Sequence, residues 1–515
     1  MTINDSFWTN YQFSENDLDS LYNYLLETQI PLNNNELSVY LITKIIEKQK
    51  EAIAKERQSG AKTYFPKDKF KPGQSLVFPS RNWQKGKVIE VRKGNNPDYE
   101  DFDVITVEFS PEDKVCFASN IPDHNLNNPT ETIDNEFLIV SNVVEKYRES
   151  LVRKLESILS KNEDLVCIGG SYFPRALLVD VGVGHLNLCE AVLEMNGGGP
   201  MNSHELIAQI ELPTDVNAKL TEFSLNLALQ EDIRFDEVGP AGETLWFLNR
   251  LEPDEVQETP PTLRNLVEPV DLPEELEQYR TLGAELCDEL EPDCDCDDVE
   301  EVTISLTYPH WRAGTLPLTA TLRKLFPTAY ETPRVKFDFV DGHNQTTFGG
   351  WVVRPSKYIF GLKEWYHKEG FIPGSLLHVS RGKVPGQVII RADKQRNSKE
   401  WIRTVLVGAD GGIVFALLKQ VTTCVFDERM ALVVPDVDAV DKLWDTKSRQ
   451  PIEKTIQNTM HELSKLNPQG HIHAQEIYAA VNLIRRCPPS VVIDVLFNQP
   501  WVTHLGDLYF RIVEN

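Results

Sequence analysis

Two short stretches place an indole between cations. Trp83 stands between Arg81 and Lys85, and Trp401 between Lys399 and Arg403. Lysine and arginine displace the counterions of a phosphate backbone, and bases stack on an aromatic face. This combination is therefore the chemistry of a surface that tracks nucleic acid. Lys87, Arg92 and Lys93 extend the first island; Arg391, Lys394 and Arg396 extend the second, the densest in the chain. Arg485 and Arg486 form a further pair. These fourteen residues are the candidate nucleic-acid contacts, and the competing reading makes them solvated faces with the two indoles in a core.

Other chemistry is harder to find. There is no phosphate-binding glycine loop, no His-Glu-x-x-His, no nucleophile elbow and no pair of Cys-x-x-Cys motifs. Gly182-Val183-Gly184 lacks the third glycine of a dinucleotide site. The run Asp293-Cys294-Asp295-Cys296-Asp297-Asp298 has Asp298 where a calcium loop needs glycine and Ile304 where it needs glutamate, so it reads as an acidic solvated run. His461, His471 and His473 lack a fourth zinc ligand at suitable spacing. Eight cysteines in 515 residues are too few for a disulfide scaffold, and Cys116, Cys167, Cys189, Cys424 and Cys487 are expected as buried thiols. A non-enzymatic protein is expected, with no catalytic residue, metal or cofactor and no small-molecule substrate.

Charge is partitioned along the chain. The net charge is −26, yet residues 251–301 alone hold 19 Asp or Glu against Arg264 and Arg280. Residues 61–93 carry nine Lys or Arg against two acids, and residues 312–403 carry 16 against 7. Separate surfaces for separate partners follow, with the acidic segment a linker that could compete with nucleic acid for the basic surfaces. The first ten residues hold no basic or long apolar segment, and no apolar run approaches membrane-spanning length. A cytoplasmic chain without a membrane partner is expected.

The elements that must position these residues announce themselves by repetition. Pro31-Leu32-Asn33-Asn34-Asn35-Glu36-Leu37, Pro200-Met201-Asn202-Ser203-His204-Glu205-Leu206 and His471-Ile472-His473-Ala474-Gln475-Glu476-Ile477 share one pattern. An apolar anchor precedes a polar residue, and Glu follows three places later: a capping-box helix start, with His473 the weakest cap. An amphipathic helix precedes each. After the second and third come another helix, 220–230 and 489–497, and two β-type runs about a glycine turn. Helix, capped helix, helix, hairpin is the winged-helix order.

Residues 185–250 and 452–515 resemble winged-helix units of the HARE-type helix-turn-helix superfamily, related to the N-terminal domain of the bacterial RNA polymerase delta subunit. Ala191-Val192-Leu193-Glu194-Met195-Asn196-Gly197-Gly198-Gly199-Pro200-Met201-Asn202-Ser203-His204-Glu205-Leu206 carries the resemblance, which covers a quarter of the chain and implies a role near DNA or the transcription machinery. The third helices depart from a DNA-reading pattern: one offers Thr221, Glu222, Ser224 and Asn226, the other Ser490 and Asp494. They are either protein-docking or structural modules, or readers of an unusual kind. Lys71-Pro72-Gly73-Gln74 and Ile372-Pro373-Gly374-Ser375 each set a type II turn before an apolar strand. The first opens a small barrel that resembles SH3, KOW or Tudor folds. The second region, with Trp351-Val352-Val353-Arg354, distantly resembles DNA-binding pseudobarrels.

The expected architecture is α+β and multidomain, with winged-helix units and two small β-barrels. Residues 1–60 form a partial winged-helix-like helical domain, 61–130 an SH3-like barrel, 137–184 a connector of helix and strand and 185–253 a winged helix. Residues 254–301 form an acidic linker, 302–434 a barrel-like domain and 450–515 a C-terminal winged helix. The expected function is non-enzymatic DNA binding or transcription association, with DNA and RNA polymerase or another protein complex as partners. The alternative is a scaffold that docks on a larger complex without touching nucleic acid.

Overall fold

A computed structural model describes residues 5–58, 62–78, 81, 84–96, 102–110, 113–127, 136–162, 164–210, 212, 217–280, 282, 288–292, 299–329, 332–384, 386–408, 411–447 and 450–513. The chain is mixed α+β with several separate sheets, and it divides into two compact units: Met1–Cys167 with Ser171–Leu178, and Ile168–Gly170 with Val179–Asn515.

In the first unit, helix α1 (Asp5–Thr9) precedes α2 (Glu15–Thr28), the two-residue strand β1 (Leu32–Asn33) and α3 (Asn34–Gln58). Asn33 starts α3 through a reciprocal pair. Its side-chain oxygen accepts the Glu36 amide at 2.9 Å, and the Glu36 carboxylate accepts the Asn33 amide at 2.9 Å. A five-stranded sheet follows: β2 (Lys62–Thr63), β3 (Ser75–Phe78), β4 (Gln84–Lys93), β5 (Asp103–Ser110) and β6 (Asp113–Ser119), in sequence order. The Pro72-Gly73 turn forms with Gly73 at φ +90°, as a type II turn requires. Tyr64, Phe70, Leu76, Phe78, Ile105 and Val107 fill its core. Hydrogen bonds from Asn120 to the Asp68 carbonyl and from Ile121 to the Pro66 carbonyl tie the opening segment to the end of β6.

The chain then returns. Helix α4 (Val140–Leu159) packs Val143, Tyr147 and Leu151 against Ile42, Ile45 and Ile46 of α3. Strands β7 (Leu165–Ile168) and β8 (Ser171–Pro174) complete a sheet of order β1-β8-β7, with Leu32 paired to Tyr172 and Asn33 to Ser171. Residues 137–184, expected as a connector, thus supply the third helix and hairpin of the N-terminal module. The five-stranded sheet is an insertion between its second and third helices.

The second unit opens with the same order. It comprises α5 (Val183–Met195), β9 (Met201–Asn202), α6 (Ser203–Gln209), α7 (Ala218–Gln230), β10 (Phe235–Glu237) and β11 (Leu245–Leu248). Asn202 accepts the Glu205 amide at 2.8 Å, and β9 pairs with β11 at Met201 and Trp246. Gly182, half of the glycine pair noted above, is the residue at which α5 starts.

Among its described residues the acidic stretch contains the single-turn helices α8 (Asp254–Gln257) and α9 (Glu274–Glu277) and a 3-10 turn at Pro261–Leu263. It is not a solvated linker. Val267, Val270, Leu272, Leu276, Tyr279 and Leu282 pack into the core around the C-terminal module. Proline punctuation and charge suggested a free chain, but apolar residues at every few positions give it a face to bury.

A seven-stranded sheet follows, in two runs of the chain. The first holds β12 (Glu301–Ser305), α10 (Tyr308–Ala313), β13 (Thr315–Pro317), α11 (Ala320–Arg323) and β14 (Arg334–Asp341). The second holds β15 (Thr347–Val353), β16 (Tyr358–Phe360), α12 (Lys363–Glu369), β17 (Leu376–Arg381) and β18 (Gln387–Ala392). Strand order is β12-β17-β18-β14-β15-β16-β13, antiparallel except for β14 with β18. Gly374, at φ +94°, approaches the Ala431 backbone so closely that a Cβ there would stand 2.5 Å from it; only glycine fits this turn.

A long ribbon, β19 (Lys394–Val407) and β20 (Ile413–Cys424), comes next, with the short β21 (Leu432–Val433) on the far side of β19. Helix α13 (Val437–Lys447) leads to the third module: α14 (Ile452–Ser464), β22 (Ile472–His473), α15 (Ala474–Asn482), α16 (Pro489–Asn498), β23 (Val502–Gly506) and β24 (Tyr509–Ile512). Here β22 pairs with β24 at Ile472 and Phe510. Among the described residues no helix is long and apolar enough to cross a membrane.

Candidate nucleic-acid interface

The inserted sheet presents its cations on β4. Gly86 and Val88 point inward, where a Cβ on Gly86 would meet Val107 at 2.4 Å, so Lys85 and Lys87 stand on the outer face. Both are exposed, as is Arg92. Local carboxylates temper the patch. Lys93 lies 3.3 Å from Asp103, Lys87 is in register with Glu108, and Arg81 sits 3.2 Å from Asp113 with its guanidinium 4.7 Å from the centre of the Phe109 ring. Trp83 lies outside the described residues.

The ribbon gathers the second set. Trp401 is 64% exposed, which excludes a core role. Strand register puts Lys419 directly across from it, with the ammonium 5.3 Å from the ring centre, and Val421 across from Lys399. Because side chains alternate, Lys399, Trp401, Lys419 and Val421 share one face, while Glu400 and Gln420 belong to the other. Arg396 and Lys399 are exposed and meet no carboxylate among the described residues. Arg391, on β18 and not on the ribbon, lies 3.4 Å from Glu301 and 3.5 Å from Asp393, and Lys394, at the start of β19, lies 2.7 Å from Glu369. These two are locally neutralised. Lys419 escaped sequence reasoning because it sits in an apolar run, Leu417-Leu418-Lys419-Gln420-Val421, whose alternation becomes meaningful only beside Trp401.

Three predicted contacts are not available to phosphate. Arg403 is buried, 2.5 Å from Glu476, and donates to the carbonyls of Glu428 and Arg429. Arg485 is half-buried, with its guanidinium donating to the Gln450 carbonyl at 2.5 Å. Arg486 is fully buried, 2.7 Å from Asp288 and 3.0 Å from Glu289; Asp288 also accepts from the Tyr478 hydroxyl, and Glu289 stands 3.0 Å from His310. A buried guanidinium needs such partners, since losing its hydration is offset only by close, well-oriented carboxylates.

The third helices are also withdrawn from solvent. On α7, Asn226 is buried and accepts from Ser203 at 2.6 Å and Trp246 at 2.8 Å, while Ser224 accepts the Val179 amide at 2.9 Å. On α16, Ser490 is buried: its hydroxyl accepts the Val270 amide at 3.2 Å, and its amide donates to Glu291 at 2.8 Å. Tyr279 stacks on Phe497, with ring centres 5.7 Å apart. Described residues of the acidic segment therefore cover α16. Neither third helix offers a reading face.

Among the described residues no three His, Cys, Asp or Glu are grouped to hold a metal ion; Asp293–Asp298 lies outside them. Of the thiols expected to be buried, Cys189, Cys424 and Cys487 are, Cys167 is intermediate, and Cys116 is exposed on β6. Comparison with family models, with curated proteins and with solved structures gives no match to this chain.

Proposed function

We propose that this protein is a non-enzymatic, transcription-associated DNA-binding protein that holds nucleic acid chiefly on the β19–β20 ribbon, with β4 of the inserted sheet as a second cationic strip. The three modules are read as winged-helix units serving as structural supports, since their helix order and hairpins suit that fold while α7 and α16 are buried. The inserted sheet is read as an SH3-like barrel. The observation that carries the proposal is the face of Lys399, Trp401, Lys419 and Val421, where an exposed indole is flanked by cations and free of carboxylates. Such a face suits an unpaired strand, whose bases can stack while its phosphates meet the ammonium groups.

The test is binding of the full chain to mixed-sequence single-stranded and duplex DNA across a salt series. Single strands should bind more tightly. Trp401→Ala should weaken them by about 1–3 kcal/mol, the usual worth of one stacked base. Lys399→Glu with Lys419→Glu should flatten the dependence of log K on log salt by about 0.7 per lost phosphate contact. Absence of binding at low salt would discard the proposal.

A second reading has its own observation. Strand β20 lies at the edge of its sheet, and Val414, Leu417, Leu418 and Val421 are exposed along it. An open edge with apolar side chains also suits a strand from a partner protein. The charge reversals above would then leave complex formation intact, whereas Leu417→Glu with Val421→Glu would abolish it.

A further inference from the structure

Strand β20 has a neighbour on one side only. The order β20-β19-β21 leaves its other edge bare, and among the described residues the backbone from Val414 to Thr422 makes no hydrogen bond except to β19. At one end the Thr423 hydroxyl donates to the Glu369 carbonyl at 3.0 Å, so α12 closes the edge there; at the other, Ile413 is buried. The bare stretch is nine residues long, and Leu418 is its midpoint.

Long exposed edges are normally blunted by proline, a bulge or several charges. Here the register with β19 runs unbroken from Ser398 opposite Thr422 to Val407 opposite Ile413, and the strand holds no proline. Its one charged residue is Lys419, whose ammonium is turned across the ribbon onto Trp401, 5.3 Å from the ring centre. Val414, Leu417, Leu418 and Val421 are exposed. A net charge of −26 makes the chain repel its own copies over most of its surface, and a strand without Asp or Glu is where two copies meet at least electrostatic cost.

We infer that β20 pairs antiparallel with the β20 of a second copy, about a two-fold axis through Leu418, and joins two ribbons into one continuous sheet. Opposed residues in such a pair point to the same face, so the axis passes through a residue and not between two. At Leu418 it pairs the whole bare stretch with itself. Leu417 then faces the aliphatic stem of Lys419, Ala416 faces the longer Gln420, and Val414 faces Thr422, β-branched against β-branched. Val421 falls opposite Phe415, a favourable aromatic pairing. An axis at Lys419 would set two ammonium groups opposite one another, and one at Leu417 would shorten the paired stretch. The inference does not rest on the nucleic-acid reading of the ribbon; it names the strand that the open edge takes.

Sedimentation equilibrium of the purified full chain up to about 100 µM should show a reversible two-chain species and nothing larger, because the pairing uses up each edge. Leu418→Glu and Leu418→Lys each put like charges opposite one another at the axis, and each should weaken pairing by at least about tenfold. Mixed in equal amounts, the two variants should pair again, an outcome that misfolding cannot produce. Trp401→Ala, on the inner strand, should weaken DNA binding as above and leave the association unchanged, so that failure of one reading is distinguishable from failure of the other. A chain that stays monomeric throughout, a two-chain species that both Leu418 variants retain, or a loss that mixing does not restore overturns the inference. A monomer that instead holds a partner protein through β20 also overturns it and leaves the edge to the second reading above.

Discussion

One position distinguishes the three helix starts at the scale of single residues. Asn33 and Asn202 cap with an amide oxygen, whereas His473 caps with Nδ1, which accepts the Gln475 amide at 3.2 Å while the Glu476 carboxylate accepts the His473 amide at 3.0 Å. An imidazole accepts only when neutral. Burial, followed by the nearby Arg429, pushes the His473 pKa down to about 4. The unfolded chain, near 6.5, binds the proton more readily, so this group's contribution to stability is present above about 6.5 and is lost as pH falls through about 4. His473→Asn transplants the cap of the other two modules. Urea unfolding between pH 7 and 4 should show the wild type losing up to about 1.4 kcal/mol per pH unit relative to the variant; parallel pH profiles would refute the role. These caps were legible because side-chain type and the Glu three places on are local signals. Arg403 and Arg486 were not, since a cation's fate depends on Glu476 and Asp288, which lie 73 and 198 positions away.

At the scale of elements, the acidic segment is where composition misled. Counting charges gave a linker; the pattern Val267, Val270, Leu272, Leu276, Tyr279 gives a strip that seals α16. Deleting residues 252–301 is therefore expected to unfold the C-terminal module, seen as lost cooperativity in thermal melting, rather than to unmask basic surfaces. A milder change isolates the charge. Asp288→Asn leaves Arg486 short of a partner in a site with no water exposure and should cost about 3–5 kcal/mol in urea unfolding. Glu258→Gln, beside the exposed Arg264, should cost no more than about 1 kcal/mol. Equal costs would mean that the buried network contributes no more than a surface pair.

At the scale of the whole chain, the repeat at 33, 202 and 473 was readable, but the first module was not, because the inserted sheet separates its halves. The pairing of Leu32 with Tyr172 and the packing of α4 on α3 reunite them. Long insertions of this kind cost little, since loop-closure entropy grows slowly with length. Within the second unit, the second module meets the seven-stranded sheet through Val238 and Phe247 packed on Trp351 and Val353, and through two carboxylates that share one guanidinium. Arg334 stands 2.8 Å from Asp236 and 3.2 Å from Glu252, whose side chain is fully buried. One cation cannot compensate both. Burial and the Asp236 charge push the Glu252 pKa up to about 8, so the folded protein holds a proton there that the unfolded chain releases near the ordinary carboxylate value. The contribution is present at low pH and is lost as pH rises from about 4.5 through about 8. Glu252→Gln, neutral at every pH, should flatten this part of the profile and raise the melting temperature of the second unit relative to wild type above pH 8. If the two profiles stay parallel from pH 5 to 9, Glu252 is ionised in the fold and Arg334 balances both acids.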